Sequence, residues 1–184
     1  MAFSRRGTDL LIDAAILATR GLALRAACVE DMAFERALFE AARPDGALLA
    51  AALPEPARET FLDQQFQFQT LHYARVHPDA ARLVVLAENV PIGRMIVDRA
   101  ASGWQLVDIA LLPSWRGQGI GALLLQGLLD AAERAGAPRV ALTVEFGNPA
   151  HRLYQRLGFV VIEEAIPSAV MEWRRSLSLQ LNTA

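Results

Sequence analysis

A glycine-rich turn between a predicted strand and a predicted helix is the part of this sequence best suited to chemistry. Residues 108–121 read Asp-Ile-Ala-Leu-Leu-Pro-Ser-Trp-Arg-Gly-Gln-Gly-Ile-Gly. The first amides of a helix lack intrahelical acceptors and carry partial positive charge. Glycines let a bulky anion approach those amides, and Arg116 adds a fork of N–H donors. The turn is therefore predicted to bind an anion such as a phosphate.

A second suggestive segment covers residues 148–159, which read Asn-Pro-Ala-His-Arg-Leu-Tyr-Gln-Arg-Leu-Gly-Phe. Asn148 before Pro149 is typical of a helix N-cap followed by proline at the first helical position. Gly158 is placed to end that helix. The pattern predicts a short helix that carries Tyr154 in its second half.

Both segments resemble motifs of the GNAT superfamily of N-acetyltransferases. Residues 116–121 are similar to the Arg/Gln-x-x-Gly-x-Gly/Ala loop of that family. Residues 148–159 are similar to its Asn-x-x-Ala-x-x-x-Tyr-x-x-x-Gly-Phe segment, except that Ala150 follows Asn148 by two positions and His151 occupies the third. The resemblance covers residues 106–159.

The resemblance implies acetyl-CoA as the co-substrate. In the family the loop holds the pyrophosphate, which here implies Arg116, Gly117, Gln118, Gly119, Ile120 and Gly121. Backbone groups at about Leu111 and Leu112 are implied to pair with the pantetheine arm, and Asn148 to contact it. The coenzyme is implied to wedge between strands at 104–112 and 139–145. No pair of residues has metal-ligand spacing, so no metal is expected.

The implied reaction is direct transfer of an acetyl group to a primary amine, without a covalent enzyme intermediate. Attack on the thioester expels the coenzyme A thiolate, and a phenol with a pKa of about 10 can protonate that sulfur. The resemblance places Tyr154 beside the sulfur. The long helix predicted over 56–76 borders the acceptor site in this superfamily.

Two carboxylates are candidates for the group that accepts the proton of the amine. Asp108 lies late in its strand, where its side chain should share a face with Ala110 and oppose Ile109 and Leu111. Glu145, at the end of the next predicted strand, is the alternative. Each carboxylate can equally be a salt-bridged or solvated residue without a catalytic role.

The same turn also fits a dinucleotide-binding fingerprint. Gly117, Gly119 and Ala122 match its Gly-x-Gly-x-x-Ala form, and Glu145 could bind a ribose. In that fold the first glycine follows the strand almost directly, whereas residues 113–116 intervene here. The alternatives to an acetyltransferase are therefore a module that binds acyl-CoA without turnover and, less favoured, a dinucleotide-dependent oxidoreductase.

The composition of the chain argues against several classes of function. The chain has 184 residues, of which 53% are hydrophobic and 21% charged, so it can bury one sizeable core. The net charge is −2 and no Lys occurs. A nucleic-acid partner is therefore not expected, and mechanisms that need a Schiff-base or phosphate-loop lysine are excluded. The expected partner is a small-molecule or peptide amine.

The termini and the single cysteine suggest a location and domain limits. Cys28 is the only cysteine, which favours a reducing, cytoplasmic compartment. Asp9, Asp13 and Arg20 interrupt the apolar N-terminal stretch, so neither a signal peptide nor a membrane partner is expected. Residues 1–20 are predicted to be an extension, 21–175 a single domain and 176–184 a tail. The extension or an edge strand could mediate a homodimer.

The pattern of apolar residues predicts a mixed α/β domain. Strands are predicted at 22–26, 82–87, 92–98, 104–112, 139–145, 159–163 and 169–174, and helices at 29–42, 56–76, 120–135 and 148–157. Short turns after the second and third strands suggest an antiparallel meander. The expected architecture is three-layered, with helices on both faces of a largely antiparallel mixed sheet of about six or seven strands. By the resemblance, that sheet is splayed between 104–112 and 139–145.

Overall fold

The computed structural model describes residues 12–42 and 52–175. The helices are α1 Ala14–Ala18, α2 Met32–Ala42, α3 Ala57–Val76, α4 Ile120–Arg134 and α5 His151–Arg156. Two short 3-10 helices lie at Val29–Asp31 and Pro113–Trp115. The strands are β1 Leu22–Ala26, β2 Ala81–Ala87, β3 Val90–Ala100, β4 Gly103–Leu111, β5 Arg139–Glu145, β6 Val160–Ala165 and β7 Ser168–Arg174. None of these helices is both long and apolar enough to cross a membrane.

The strands form one seven-stranded sheet in the order β1-β2-β3-β4-β5-β7-β6. All neighbours pair antiparallel except β4 and β5, which run parallel. The parallel ladder joins only residues 104–106 to residues 140–142. Both strands continue beyond that ladder, β4 to Leu111 and β5 to Glu145, but there they do not pair with each other. The predicted fold class is confirmed, and the sheet opens between the two predicted strands.

Helices cover both faces of the sheet, as predicted. Successive residues of a strand point to opposite faces, so neighbours on β2 report on the two layers. Val85 lies in the main core, which contains α1 and α4 residues such as Leu17 and Leu124. Val84 packs in a smaller cluster with Phe34 of α2 on the opposite face. Helix α3 lies beside α2, and the two form the layer on this second face.

An ionic cluster joins α2 to α3. Arg36 of α2 donates to one residue of its own helix and to two of α3: Glu40 at 3.1 Å, Glu59 at 3.2 Å and Asp63 at 2.7 Å. The Arg36 side chain is 16% exposed, so these bonds are partly shielded from water. The cluster fixes the position of α3, which carries a side chain of the candidate site described below.

The N-terminal segment packs into the domain. Ile12 and Leu17 are 0% and 1% exposed and belong to the main core. A β-carbon on Gly127 of α4 would overlap Ile12 Cγ2, so the glycine makes room for this side chain. The described end of the predicted extension is therefore part of the packed structure, although the prediction placed a boundary at residue 20.

The start of α5 differs from the sequence prediction. Asn148 Oδ1 accepts a hydrogen bond from the Ala150 N–H at 2.9 Å, which closes a turn through Pro149. The regular helix begins at His151 with Ala150 before it, later than predicted. Asn148 nevertheless makes the side-chain hydrogen bond that was expected of a cap. The turn predicted at residues 44–46 lies outside the described residues.

Candidate active site

The predicted anion-binding turn presents a run of free amides. Within the described part of the chain, the N–H groups of residues 117–122, here called the amide run, donate to no acceptor. Gly117 and Gly119 have φ angles of 73° and 80°, in the left-handed region that glycine tolerates. A β-carbon on either glycine would meet no atom within 4 Å, so the turn is open. Such a set of amides at the start of α4 suits an anion.

The Arg116 side chain contacts main-chain carbonyls rather than open space. Its Nε donates to Leu111 O at 2.8 Å, and its Nη2 donates to Ala41 O at 3.0 Å. Gln118 Nε2 similarly donates to Ser114 O at 2.8 Å. These two side chains therefore shape the turn, and Arg116 ties it to β4 and α2. The contact between Arg116 and phosphate that the resemblance implies stays a prediction.

The end of β4 offers one of the two predicted leucines to the gap in the sheet. Leu112 N–H donates to Ile92 O at 2.9 Å, and Leu112 O accepts from Trp115 N–H at 2.9 Å. The main-chain groups of alternate residues point to opposite edges of a strand. The main chain of Ile109 and the N–H of Leu111 therefore face the gap toward β5, while Leu111 O is bonded to Arg116 and both main-chain groups of Leu112 are already used.

Tyr154 is buried but its hydroxyl reaches open space. The residue is 7% exposed, and its ring packs edge-on against Phe159 with 5.9 Å between centroids. No described residue forms a hydrogen bond with the Tyr154 hydroxyl. Among the side-chain nitrogen and oxygen atoms of the described ranges, only Arg58 Nε is both fully buried and without a hydrogen-bond partner, so the Tyr154 oxygen is not fully buried. The hydroxyl must therefore be accessible. Burial, with a smaller contribution from the charge of Asp108, raises the pKa of Tyr154 to about 12.

Asp108 forms an ion pair with a buried arginine. Arg94 Nε donates to Asp108 Oδ2 at 2.6 Å, and Arg94 Nη2 donates to Gln69 Oε1 of α3 at 2.7 Å. Arg94 pairs with Ala110 and Asp108 with Ile96 in the β3–β4 register, so Arg94, Asp108 and Ala110 share one face of the sheet. Burial opposes the charge of Arg94, but the Asp108 carboxylate keeps the pKa of Arg94 above its ordinary value.

Tyr154 and Asp108 interact electrostatically, whereas the predicted residues Glu145 and Asn148 lie at and beyond the end of β5. The charge of Asp108 acts on the Tyr154 phenol. Glu145 and Asn148 are both exposed, at the end of β5 and in the turn that follows it. Across the described ranges, no three His, Cys, Asp or Glu side chains lie together as a metal site would require.

Arg94 and Gln69 of the candidate site were not predicted from the sequence. A signal for Arg94 was present, because it interrupts the apolar run from Ile92 to Val97 in a strand predicted to be internal. A buried guanidinium requires partners, and an acid on the neighbouring strand was a natural candidate. Gln69 lies on a distant helix, and nothing in the spacing of the sequence connects the two residues.

The comparisons with known proteins decide the family. The model of the Acetyltransferase (GNAT) family matches residues 37–159, which is more than half of the chain. The chain belongs to the GNAT family. The family assigned from the two motifs is confirmed, and the dinucleotide-binding alternative fails because a doubly wound fold needs a parallel sheet.

Two curated relatives resemble parts of this GNAT chain. It is 30% identical over 133 residues to mycothiol acetyltransferase of Thermobifida fusca, covering 66% of this chain and 36% of the relative. It is 34% identical over 77 residues to an alanine N-acetyltransferase of a ribosomal protein from Haemophilus influenzae, covering 42% of this chain and 53% of the relative. The chain thus spans about a third and about half of the length of these relatives.

A solved structure shows the same fold. The PaiA N-acetyltransferase of Thermoplasma acidophilum, in complex with coenzyme A, superposes with a TM-score of 0.64 at 19% sequence identity. The match covers 84% of this chain and 99% of that protein. The overall fold is therefore shared over most of this chain.

Proposed function

We propose that this GNAT protein transfers an acetyl group from acetyl-CoA to a primary amine. The observation that carries the proposal is the open amide run at the start of α4. A diphosphate bound there would satisfy several donors at once and lie at the positive end of the α4 dipole. A structural relative that binds coenzyme A with the same fold supports this choice of ligand.

The gap between β4 and β5 suits the pantetheine arm. We place the arm against the main chain of Ile109 and the N–H of Leu111, which face the gap. Leu112 is left out of this contact, because its N–H and C=O are both bonded within the protein. Arg116 and Gln118 support the site by holding the turn in shape. Asn148 follows β5, on the other side of the gap, and is the remaining residue proposed to touch the arm.

Tyr154 is proposed to stabilise the departing sulfur. With a pKa of about 12 the phenol is protonated at neutral pH, so it acts there only as a donor. Complete proton transfer to a thiolate whose conjugate acid has a pKa of about 8.5 would be uphill by roughly 3 to 4 pK units. A hydrogen bond that strengthens as charge develops on sulfur is therefore the better assignment, and solvent then completes the protonation.

Asp108 is proposed to orient the amine and to help keep Tyr154 protonated. Its Oδ2 accepts a hydrogen bond from Arg94 Nε, which fixes the orientation of the carboxylate. Its Oδ1 has no partner among the described residues and can accept a hydrogen bond from the acceptor amine. The amine's proton then leaves through water, and Glu145 is the exposed carboxylate available to receive it.

The acceptor is proposed to be a small-molecule or peptide amine on the α3 side of β4, where Asp108 lies. The two curated relatives are named for mycothiol and for the alanine of a ribosomal protein, so small molecules and proteins are both represented. We place the reaction in the cytoplasm, because the single Cys28 suits a reducing compartment.

Binding and turnover are tested separately. Calorimetric titration is expected to show binding of acetyl-CoA and none of NAD. Release of free thiol, corrected for hydrolysis, is then measured with a peptide N-terminus, an amino acid, an amino sugar and a polyamine. Amine-dependent release supports the transferase. Failure to bind acetyl-CoA at millimolar concentration would overturn the assignment.

A second candidate function is an acyl-CoA-binding module without turnover. The observation in its favour is that Asp108, the carboxylate proposed to orient the amine, is already paired with Arg94. Tight binding of acetyl-CoA without thiol release for any amine of the panel would select this alternative over the enzyme.

A further inference from the structure

We infer that Arg20, from the N-terminal segment, is a further coenzyme-binding residue that contacts the diphosphate of acetyl-CoA. The inference rests on the proposed function and adds a residue outside both family motifs. Arg20 Nη2 donates to Gln118 O at 3.1 Å. Gln118 lies in the amide run, so a second guanidinium besides that of Arg116 sits at the turn.

The backbone of Arg20 is held in place by the fold. Its N–H donates to Leu17 O at 3.0 Å, and Leu17 is 1% exposed in the main core. On its other side, Gly21 O accepts a hydrogen bond from Glu88 N–H at 3.1 Å, at the start of β1. The segment therefore presents the Arg20 side chain to the turn from a fixed position, which reduces the entropy lost on binding a ligand.

Across the residues that the structure describes, Arg20 has more N–H groups without an acceptor than Arg116 has. Arg116 uses Nε and Nη2 on the two carbonyls Leu111 O and Ala41 O. Arg20 makes one side-chain hydrogen bond, and no described carboxylate forms an ion pair with it. An exposed guanidinium without an acidic partner among the described residues, next to amides without acceptors, is available to a diphosphate, which carries one negative charge on each phosphate.

The hydrogen bond to Gln118 indicates which phosphate Arg20 contacts. It holds Nη2 against the second residue of the amide run, where the proposed function places the diphosphate. Arg20 is therefore assigned to the diphosphate rather than to the 3′-phosphate of the adenosine. Arg20 should therefore contribute to the affinity for every ligand that contains the diphosphate. It should contribute nothing to the affinity for a ligand that lacks the diphosphate.

The test compares Arg20→Gln, Arg20→Lys and the matched control Arg75→Gln in the full chain. Arg75 is an exposed arginine in the last turn of α3, so its substitution makes the same charge change away from the turn. Calorimetry measures the Kd of each protein for coenzyme A, dephospho-coenzyme A and pantetheine. Arg20→Gln is expected to weaken coenzyme A and dephospho-coenzyme A equally, by about fivefold to tenfold.

Three further results are expected. Pantetheine binding stays unchanged in Arg20→Gln, which excludes general damage to the gap. Arg20→Lys restores part of the affinity, because a point charge is kept while the fork of donors is lost. Arg75→Gln binds all three ligands like the wild type.

The outcomes separate this inference from the proposed function. Equal coenzyme A affinity of Arg20→Gln and wild type overturns the inference and leaves the proposed function intact. A loss of affinity that disappears with dephospho-coenzyme A overturns the assignment to the diphosphate. Wild-type protein that binds no coenzyme A overturns the proposed function first, and the inference with it.

Discussion

Tyr154 offers the most direct test at the scale of the residue. Tyr154→Phe is expected to lower turnover about tenfold to a hundredfold, because the phenyl ring keeps its packing against Phe159 while the donor to sulfur is lost. Affinity for acetyl-CoA should change by less than about twofold, since one hydroxyl contact is a small part of the binding energy. Steady-state kinetics and calorimetry on the same preparations measure both. Unchanged turnover would remove Tyr154 from the mechanism.

The ionisation of Tyr154 can be measured directly. The chain has two tyrosines, so the variant Tyr73→Phe leaves Tyr154 as the only phenol. Its absorbance change after a pH jump should report a pKa near 12 in the folded protein, against the ordinary value of 10.0. Because the phenol pKa is higher in the folded than in the unfolded protein, its contribution to the unfolding free energy is fully present below pH 10. This contribution is lost as the pH rises toward 12.

The Asp108→Asn change in the same Tyr73→Phe background provides the comparison. Removing the negative charge should lower the pKa of Tyr154 but leave it above its ordinary value, because burial is the larger cause. A pKa near 10 in the folded parent would show that the phenol is not desolvated, and would contradict the proposed role of burial.

The types of the candidate site residues were predictable from the sequence, but the contacts of their side chains were not. The motif around Arg116 indicates an anion site by its glycines and its position before a helix. The partner Ala41 lies 75 residues away in the chain, and only the packing of α2 against β4 brings it to the guanidinium. Arg94 and Gln69 meet for the same reason, through tertiary contact between β3 and α3.

At the scale of the element, the docking of the N-terminal segment on α4 is testable by stability. Gly127→Ala places a β-carbon where Ile12 lies and is expected to cost about 1 to 3 kcal/mol of unfolding free energy. The matched control is Gly121→Ala in the same helix, where the nearest atom to the new β-carbon is 3.7 Å away. The control should be neutral or stabilising, since alanine favours a helix over glycine.

A double-mutant cycle with Ile12→Ala identifies the contact. Ile12→Ala alone is expected to cost about 2 to 5 kcal/mol, and Gly127→Ala should cost much less in that background because the overlapping side chain is gone. Urea unfolding of the four proteins gives the coupling energy. Strictly additive costs would mean that Ile12 is not seated on Gly127.

The bounds of the helices and strands followed closely from apolar spacing, with instructive exceptions. Strand β5 matches its prediction to the residue, because a buried strand between Pro138 and Gly147 leaves little choice. The start of α5 did not follow to the residue, because the Asn148 side chain closes a turn before the regular helix begins at His151. The burial of Ile12 also escaped prediction, since its partner Gly127 is remote in sequence.

At the scale of the whole molecule, stability is expected to fall in acid through two buried carboxylates. A hydrogen bond from Arg25 lowers the pKa of Asp31, and burial of Glu172 is outweighed by the hydrogen bonds of Arg139 and Arg174, which lower its pKa. A carboxyl group with a lowered pKa stabilises the folded state when the pH is above its ordinary pKa, which is 3.8 for Asp31 and 4.5 for Glu172. That stabilisation is lost as the pH falls through the pKa that the group has in the folded protein.

The Asp31→Asn variant tests this dependence. It should be less stable than wild type at neutral pH by about 1 to 3 kcal/mol, because the ion pair with Arg25 is lost. Its unfolding free energy should vary less between pH 5 and pH 3, so that the two proteins converge in acid. Parallel curves over that range would contradict the assignment to Asp31.

The sheet consists of two halves, β1 to β4 and β5 to β7, which are joined only by the short ladder between residues 104–106 and 140–142. A bound substrate arm would bridge this seam, so the protein should be loosest when empty. Deuterium uptake at the amides of Ile109 and Leu111 should then be fast without ligand and slow with coenzyme A, while amides in the β2–β3 ladder change little. Each catalytic cycle would accordingly loosen and tighten the middle of the fold.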